Sequence, residues 1–334
     1  MTKDEIIYYL NSPGNDGELF RRSDVIRRRC CGNDVHIRGI IEFSNHCVRN
    51  CLYCGLRRDN GAVTRYRMEE GEIVDTALQI ASYGIRTVVL QSGDDFFYTR
   101  SMLCRIVERI KDSADVAVTL SIGERPFDDY RALKTAGVDR YLLKHETANE
   151  KLYRCLHPHQ TLKQRLEILA FLRSIGYQIG AGNIVGLPGQ TVDDLCAEIV
   201  LLRDLDPDMA SVGLFIPQHV TPLSTAPQGI VSMALKVLAL ARIATGNSHM
   251  TVTTALVTAD PDRGLIRGLR AGANVIMPDF TPDRYRMNYV IYDNKTRITL
   301  DAARASIHAA GRTMDRTRGD SLKIPEPPAA VHDP

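Results

Sequence analysis

The sequence has no long apolar run and almost no net charge, and both absences restrict what the protein can be. No stretch approaches the roughly 20 consecutive apolar residues that a membrane-spanning helix needs. Lysine and arginine number 42 against 40 aspartate and glutamate, and a net charge of +2 gives no reason to expect a nucleic-acid partner. The start, MTKDEIIYYL, lacks the apolar segment of a signal peptide, so we expect a cytoplasmic protein without a membrane partner.

A dinucleotide-binding GxGxxG is also missing after the first apolar run, which disfavours a doubly wound open sheet, the main alternative fold. Helical patterns alternate with eight apolar runs, at 36–43, 86–92, 115–123, 138–145, 178–186, 209–215, 250–256 and 273–278. This alternation predicts parallel β-α-β units, and eight strands can close a complete (β/α)8 TIM-type barrel. We therefore expect an α/β protein with a helical cap at 1–35, the barrel at 36–312 and a proline-rich, disordered tail at 313–334.

The sequence does contain cysteine, at positions 30, 31, 47, 51, 54, 104, 155 and 196. In a reducing compartment cysteines indicate metal binding or burial rather than disulfides. Cys47, Cys51 and Cys54 form a CxxxCxxC pattern directly after the first strand, and three thiolates can hold three irons of a cubane cluster while leaving the fourth iron open. A four-ligand zinc site completed by His46 or Asp59 is the alternative. The other five cysteines lie in helical patterns, and we expect them to be buried.

Polar residues follow the predicted strands, and in a TIM barrel the carboxyl ends of the strands carry the active site. We therefore expect these residues to share one catalytic mouth: Gln91, Ser92, Gly93, Asp94, Ser121, Glu124, His145, Glu146, Thr147, Thr253, Thr254 and Asp279.

The cysteine pattern, Cys47-Val-Arg-Asn-Cys51-Leu-Tyr-Cys54, resembles the signature of the radical S-adenosylmethionine (SAM) superfamily. The resemblance implies one 4Fe–4S cluster whose open iron binds SAM, and reductive cleavage of SAM to a 5′-deoxyadenosyl radical. The segments 92–94 and 182–186 resemble the glycine-containing segments that line SAM in this superfamily, although glycine there is equally a turn residue. The segment 185–191 lacks the Gly-Lys-Ser/Thr of a phosphate loop and predicts a strand-to-helix turn with Thr191 as N-cap.

Longer strings, among them CLYCGLRRDN (51–60), HETAN (145–149) and VGLPGQT (185–191), resemble the HydE family of FeFe-hydrogenase maturases over about residues 36–292. Its relatives include biotin synthase and methylornithine synthase, which are (β/α)8 barrels. With the superfamily signature, the resemblance implies these SAM-binding residues: Tyr53, Gln91, Ser92, Gly93, Asp94, Ser121, Glu146, Arg165 and Ile184. It implies these substrate-lining residues: Lys144, Thr253, Thr254, Tyr285, Tyr289 and Tyr292. The alternatives are a surface ion pair for Glu146 and Arg165 and a core position for each tyrosine.

The sequence departs from the HydE pattern at the predicted mouth. Lys144 stands where we expect arginine, and lysine cannot grip a carboxylate with two parallel hydrogen bonds. Gln218 and His219 replace the residues typical of the strand-6 segment. No cysteine follows Cys196, so a second cluster is not expected, and His157 and His159 are interpreted as a solvated pair.

Three functions are compatible with these patterns. The first is assembly of the hydrogenase active site, where HydE proteins act on a cysteine-bound iron carbonyl–cyanide complex; it implies a small-molecule or organometallic substrate, partner maturases and an electron donor such as ferredoxin or flavodoxin. The second is a HydE-like paralogue with another small substrate, such as an amino-acid mutase of the methylornithine synthase kind. The third is a non-catalytic iron–sulfur scaffold.

Overall fold

A computed structural model describes residues 1–14 and 16–323 of the chain, and these residues form ten strands. The strands are β1 (Asp34–Ile37), β2 (Gly39–Ser44), β3 (Thr87–Ser92), β4 (Ala117–Ser121), β5 (Arg140–Leu142), β6 (Gln178–Val185), β7 (Met209–Leu214), β8 (His249–Thr251), β9 (Val275–Ile276) and β10 (Thr313–Asp315).

Helices occupy most of the connections between the strands. They are α1 (Lys3–Asn11), α2 (Asp16–Cys31), α3 (Glu70–Ser82), α4 (Arg100–Ser113), α5 (Phe127–Thr135), α6 (Glu150–Leu156), α7 (Leu162–Ser174), α8 (Val192–Leu205), α9 (Val231–Thr245), α10 (Thr254–Ala259), α11 (Gly264–Arg270), α12 (Asp283–Arg286) and α13 (Leu300–Ala309). Thr191 caps α8 through a hydrogen bond from the Asp194 backbone N–H, as the sequence predicts. In the described ranges no helix is long and apolar enough to cross a bilayer.

The strands form one parallel sheet in the order β10-β1-β9-β8-β7-β6-β5-β4-β3-β2. Parallel sheets are covered on both faces, which explains why the strands read as continuous apolar runs. β2 and β7 are buried along their whole length. Since all strands point the same way, the residues that follow them meet at one edge of the sheet.

The parallel α/β architecture that the sequence predicts is confirmed, and each of the eight apolar runs overlaps a strand. The prediction for 250–256 is wrong in its second half, where α10 begins at Thr254. The number of strands is ten rather than the predicted eight, because Arg38 divides the first run into β1 and β2 and because β10 is an additional strand. The sheet order is therefore that of ten strands with β10 and β2 at its ends, rather than that of an eight-stranded closed barrel.

The two N-terminal helices pack against the outer helices. Thr2 and Glu5 form a capping box at the start of α1, in which each side chain accepts a hydrogen bond from the other's backbone. Ile6 and Leu10 of α1 are buried, and the helix packs on α8 and α9, while α2 packs on α9. The segment 1–35 is helical up to Cys31, and its last two residues already belong to β1.

The start of the predicted disordered tail is ordered. β10 pairs in parallel with β1, and Arg318 and Asp320 beyond it contact the first residues of β3, β5 and β8. There the Asp320 carboxylate pairs with Arg140, the fully buried first residue of β5, at 2.9 Å. The prediction of disorder is wrong for residues 313–323, and the remainder of the predicted tail, 324–334, lies outside the described residues.

Candidate functional site

A cavity of about 340 Å³ opens at the carboxyl ends of the strands. Glu124, His145, Thr147 and Asp279 were expected at this mouth but do not line the cavity. All the residues predicted to bind the cluster, SAM or the substrate line it except one. They are Cys47, Cys51, Tyr53, Cys54, Gln91, Ser92, Gly93, Asp94, Ser121, Lys144, Glu146, Arg165, Ile184, Thr253, Thr254, Tyr289 and Tyr292. The exception is Tyr285, whose ring stacks on Tyr66 and whose hydroxyl donates to Glu72 at 2.9 Å.

The segment 47–54, which carries Cys47, Cys51 and Cys54 and which we call the cysteine loop, packs against the end of β3. The Val48 backbone N–H donates to the Asp94 carbonyl oxygen at 3.0 Å. A Cβ at Gly93 would lie 2.3 Å from the His46 carbonyl oxygen and 2.6 Å from Cys47 Cβ. Gly93 is therefore required so that the backbone of β3 can approach the loop that carries the thiols.

The three thiols suit a cluster better than a single ion. In the described part of the chain no three His, Cys, Asp or Glu side chains converge on a single-ion position. Asp59, a candidate fourth ligand of zinc, is instead held by Asn50 and Arg58 at the surface. The three cysteines line one cavity, as a cubane cluster with an open iron requires.

Burial keeps the thiols protonated when no iron is bound. Burial raises the pKa of Cys47 to about 11 and that of Cys54 to about 12, and it also raises the pKa of Cys51. A bound iron deprotonates a thiol that coordinates it. The residues present therefore fit a cationic iron centre, whose charge stabilises three buried thiolates.

Two arginines and two carboxylates form a network beside the cysteines. Arg49 donates to Asp94 Oδ2 at 2.7 Å and to Glu124 Oε2 at 3.0 Å. Arg165 Nε donates to Glu124 Oε1 at 2.8 Å. Gly123 has a φ of 74°, and a Cβ there would lie 1.6 Å from Asp94 Oδ1, so only glycine leaves space for this carboxylate. The network fixes Arg165 at the cavity wall, which rules out the surface ion pair considered for it.

Glu146 has a strained backbone at the cavity wall. Its φ of 63° lies in the left-handed region, which costs a side-chain-bearing residue about 1–3 kcal/mol. Two hydrogen bonds to β6 hold it there: its N–H donates to the Gly182 carbonyl oxygen, and its carbonyl oxygen accepts from Ile184, each at 2.9 Å. Strain that the surrounding structure maintains is typical of a functional residue.

The Glu146 carboxylate remains ionised although it is enclosed. Burial raises its pKa, but the nearby charges of Lys144 and Arg165 outweigh this effect and the net pKa is lowered. Lys144 Nζ lies 3.2 Å from Glu146 Oε2. A Cβ at Gly213 would lie 3.1 Å from the same Nζ, so glycine makes room for Lys144.

Some polar atoms at the cavity have few hydrogen-bond partners or none in the protein. Gln160 Nε2 is buried without a hydrogen bond, and Glu146 Oε2 has only the Lys144 ammonium, 3.2 Å away. Both residues line the cavity. An unpaired buried polar atom costs about 1–3 kcal/mol, which a ligand with complementary atoms removes. These atoms therefore point to a polar ligand beside the cysteines.

A second ion pair lines the cavity, and sequence reasoning missed it. Lys295 Nζ lies 2.6 Å from Glu42 Oε1 and 5.2 Å from the centre of the Tyr289 ring. Burial raises the pKa of Glu42 to about 7, against the opposing effect of Lys295. Gln91 donates to the Tyr289 hydroxyl at 3.2 Å. A carboxylate inside an apolar strand needs a partner, and that signal could have singled out Glu42.

Two interpretations from the sequence are wrong in part: that His157 and His159 are both solvated, and that the five cysteines outside the motif are all buried. His157 is buried rather than solvated, with its Nε2 2.8 Å from the Tyr53 hydroxyl, whereas His159 is exposed. Of the cysteines outside the loop, Cys196 is buried, Cys155 is exposed, and the rest are half-buried: Cys30, Cys31 and Cys104.

The parallel sheet, the three-thiol loop and the polar cavity together define an enzyme of the radical SAM class. Residues 41–202 match the family model of the Radical SAM superfamily. The [FeFe] hydrogenase maturase subunit HydE of Thermotoga maritima is 49% identical over 286 residues, which are 86% of this chain and 82% of that protein. The chain therefore belongs to the HydE family of radical SAM enzymes, whose cofactors are a 4Fe–4S cluster and SAM.

More distant proteins share the fold. The 3-methylornithine synthase of Methanosarcina acetivorans is 26% identical over 278 residues, 83% of this chain and 78% of that protein. The crystal structure of a methylornithine synthase superposes with a TM-score of 0.83 at 23% identity and covers 94% of both chains.

Proposed function

We propose that the protein acts as a HydE-type maturase, cleaving SAM reductively during assembly of the FeFe-hydrogenase active site. The observation that carries this proposal is the 49% identity to a HydE protein across 86% of the chain. The convergence of the expected cofactor residues on one cavity supports it. The substrate is then a small organic or organometallic molecule, and the partners are the other maturases and a one-electron donor.

In this proposal the cysteine loop holds the cluster, and the remaining residues hold SAM. Cys47, Cys51 and Cys54 are the cluster ligands, and the bound cluster supplies one electron that cleaves SAM. Glu146 accepts hydrogen bonds from the ribose hydroxyls, and Arg165 binds the methionine carboxylate. Further contacts to SAM come from Tyr53, Gln91, Ser92, Gly93, Asp94, Ser121 and Ile184.

The remaining polar side chains bind the substrate. Lys144 supplies a positive charge, Thr253 and Thr254 supply hydroxyls, and Tyr289 and Tyr292 close the wall of the cavity. Tyr285 is left out because it packs on Tyr66 away from the cavity. Buried polar groups that must pair with substrate atoms give more selectivity than apolar walls do.

We further propose that the sheet closes into a barrel between β2 and the segment after β9. The Ile40 backbone N–H donates to the Pro278 carbonyl oxygen at 3.0 Å, and the Phe280 N–H donates to the Ile40 carbonyl oxygen at 2.9 Å. The protein then consists of a helical cap at about 1–35, a barrel to residue 312 and a C-terminal segment, and it works in the cytoplasm.

A second candidate is an amino-acid mutase that acts on another small substrate. Lys144 favours it, because this residue replaces the expected arginine in the cavity and presents a single point charge to the substrate. Both candidates share the cleavage of SAM and differ only in what fills the cavity.

The test combines SAM cleavage with hydrogenase maturation. The protein is reconstituted anaerobically with iron and sulfide, and 5′-deoxyadenosine is measured after addition of SAM and dithionite. The same preparation is then added to a cell-free maturation mixture that lacks only HydE. We expect 5′-deoxyadenosine and hydrogenase activity from the parent protein.

Cys51→Ala is the control, because it removes one cluster ligand and should abolish both signals. Absence of 5′-deoxyadenosine above this control would contradict radical SAM activity and favour a scaffold. Cleavage of SAM without hydrogenase activation would contradict the maturase role and favour the mutase.

A further inference from the structure

A groove of about 900 Å³ lies at the opposite end of the sheet from the cavity. Asn33 and Arg312, which line it, directly precede the first residues of β1 and β10. Its walls come from α2, from the end of α11 and from the segment that follows α13. In parallel α/β barrels the chemistry takes place at the carboxyl ends of the strands, so a ligand in this groove leaves the cavity mouth open.

Positive charge dominates the lining of this groove, which we call the arginine groove. Two further carboxylates stand at its border: Glu5, which pairs with one of the arginines, and Asp34, at the start of β1. Even when both are counted, the arginines exceed the carboxylates by two. The lining carboxylates are Glu18 and Asp24, and the lining arginines are Arg21, Arg22, Arg27, Arg28, Arg270 and Arg312.

Two of the arginines are buried and serve the fold. Arg27 donates to the Gly32 carbonyl oxygen beyond α2, and Arg312 donates to the Leu269 carbonyl oxygen of α11 at 2.6 Å. Both also pair with Asp24 Oδ1, at 2.7 and 2.8 Å. The Asp24 carboxylate is therefore already engaged by two buried guanidinium groups, which leaves the exposed arginines of the groove with little compensation.

The exposed groove residues of α2 recur at helical spacing. Arg21, Val25 and Arg28 are separated by four and three residues, so they share one face over about 10 Å of the helix. Val25 is 65% exposed. Arg21 forms no ion pair among the described residues, and Arg28 has only a contact of 3.3 Å with Asp24. Glu18 lies one turn before Arg21, and an exposed apolar residue thus stands between two cations.

Arg270 adds a positive charge from another wall of the groove. It is the last residue of α11, it is exposed, and it has no carboxylate partner in the part of the chain that the structure describes. A lone phosphate would need donors that converge on one point, whereas these charges are spread along one helix and onto a second. Their spacing around an apolar residue is complementary to a segment with carboxylates on either side of an apolar side chain.

We propose that the arginine groove binds an acidic, amphipathic segment of a partner protein. Carboxylates of that segment pair with Arg21, Arg28 and Arg270, since guanidinium groups bind carboxylates through two parallel hydrogen bonds. An apolar side chain of the segment covers Val25. Binding at this end of the sheet holds a partner to the protein while the cavity at the other end stays accessible. The inference does not depend on the proposed cleavage of SAM.

The test uses the cluster-loaded protein and a fluorescein-labelled amphipathic peptide of glutamate and leucine. Fluorescence anisotropy gives its Kd at low and high salt for the parent, Arg21→Glu, Arg270→Glu and Val25→Ser. We expect each charge reversal to weaken binding at least tenfold and Val25→Ser to weaken it at least threefold, with a marked loss of affinity at high salt. The formation of 5′-deoxyadenosine with dithionite should equal that of the parent in all three variants, because they lie away from the cavity.

Arg109→Glu is the matched control. Arg109 is exposed on α4, forms no ion pair among the described residues, and lies on a helix that packs on α3 and α5 rather than on α2. The proposal is overturned if the parent does not bind the peptide, if Arg109→Glu weakens binding as much as the groove variants do, or if a peptide with glutamine in place of glutamate binds equally well.

Two other occupants would also overturn the proposal. Displacement of the peptide by inorganic tripolyphosphate, together with an unchanged Kd in Val25→Ser, would indicate a phosphate site. A dimer of the parent in solution that Arg21→Glu dissociates would indicate a second copy of the chain in the groove. If the parent yields no 5′-deoxyadenosine, the proposed function fails while the Kd series still tests the groove.

Discussion

Glu146 keeps its left-handed backbone because a helix outside the cavity holds the residues on both sides of it. Glu198 of α8 is fully buried, and its Oε1 accepts hydrogen bonds from the Thr147 hydroxyl and the Ala148 N–H, each at 2.7 Å. Its Oε2 lies 3.1 Å from His145 Nε2. Glu198 therefore positions Glu146 without reaching the cavity.

Removal of Glu198 should weaken SAM binding without removing the cluster. Glu198→Ala leaves buried donors without an acceptor, each costing about 1–3 kcal/mol, and releases the strained segment. We expect SAM affinity to fall at least tenfold while iron content is unchanged. Glu198→Gln keeps one acceptor oxygen and should restore part of the affinity. Asp193→Ala, at an exposed position of the same helix, is the control; equal SAM affinity in the two alanine variants would contradict the positioning role.

Lys144 is expected to affect the substrate more than SAM. Its ion pair with Glu146 is partly exposed, and such pairs contribute about 0–1 kcal/mol, so Lys144→Ala should change the Kd for SAM less than about fivefold. Turnover of the substrate should change clearly, since the variant removes a charge from the cavity. Lys144→Arg, which restores the residue expected in the family, is the companion variant. Loss of SAM binding in Lys144→Ala would place the residue in the cofactor site instead.

Site residues could be predicted from the sequence where neighbouring residues form a recognisable pattern. They could not be predicted where a contact with a distant segment determines the position of the side chain. The cysteine spacing and the polar residues after each strand can be read from neighbours in the chain. His157 is buried by its contact with Tyr53, and Glu42 depends on Lys295, which is 253 residues away. Tyr285 resembles the other tyrosines in sequence, but a stacking partner, Tyr66, holds it elsewhere.

At the scale of elements, strands and helices were predictable because their apolar periods differ. Each apolar run overlaps a strand, since buried parallel strands are apolar on both faces. The division at Arg38 was not predictable from the pattern, because the residue is buried by a contact of its guanidinium with Met209, from a distant strand. The three-residue strand β10 was missed because it is too short to show a period and precedes a proline-rich segment.

The burial of His249 against the C-terminal segment should make the free energy of unfolding depend on pH. His249 of β8 lies 2.9 Å from the Asp320 carbonyl oxygen, and burial, followed by the charge of Arg38, lowers its pKa to about 2. In the unfolded chain histidine has a pKa of about 6.5, so below that pH the unfolded chain binds a proton that the folded chain does not. The free energy of unfolding should therefore fall as the pH drops below about 6.5, by up to about 1.4 kcal/mol per unit for this residue.

Urea unfolding between pH 4.5 and 7.5 measures this slope. We expect His249→Gln to be less stable at pH 7 but to show a shallower decline toward acid. His308→Gln, at an exposed histidine, should keep the parent's slope. Equal slopes in the parent and His249→Gln would contradict the assignment.

The proposed closure of the sheet into a barrel can be tested by the hydrogen exchange of backbone amides. If the hydrogen bonds between Ile40 and the segment after β9 complete a barrel, the amides of Ile40 and Phe280 should exchange as slowly as those of central strand β6. Exchange at the rate of loop amides, measured by mass spectrometry or NMR, would indicate an open edge there.

On the scale of the whole molecule, the cavity exists only when the complete sheet is folded. Its lining comes from the ends of strands β2 to β9 and from the segment around Tyr289 and Lys295. A ligand in this cavity binds the folded chain and not the unfolded one, so it must stabilise every element that supplies a lining residue. Binding and global stability are thus linked across the protein.

This linkage predicts a thermal shift that depends on the cluster. At 100 times its Kd, SAM should stabilise the cluster-loaded protein by about 2.7 kcal/mol, which for a protein of this size corresponds to a shift in Tm of roughly 4 °C. Cys51→Ala lacks one ligand of the cluster, so SAM loses its contact with the open iron and the shift should largely disappear. Differential scanning calorimetry of both proteins under anaerobic conditions, with and without SAM, measures the effect. An equal shift in Cys51→Ala would mean that SAM binds away from the cysteine loop, which would contradict the arrangement of the site proposed here.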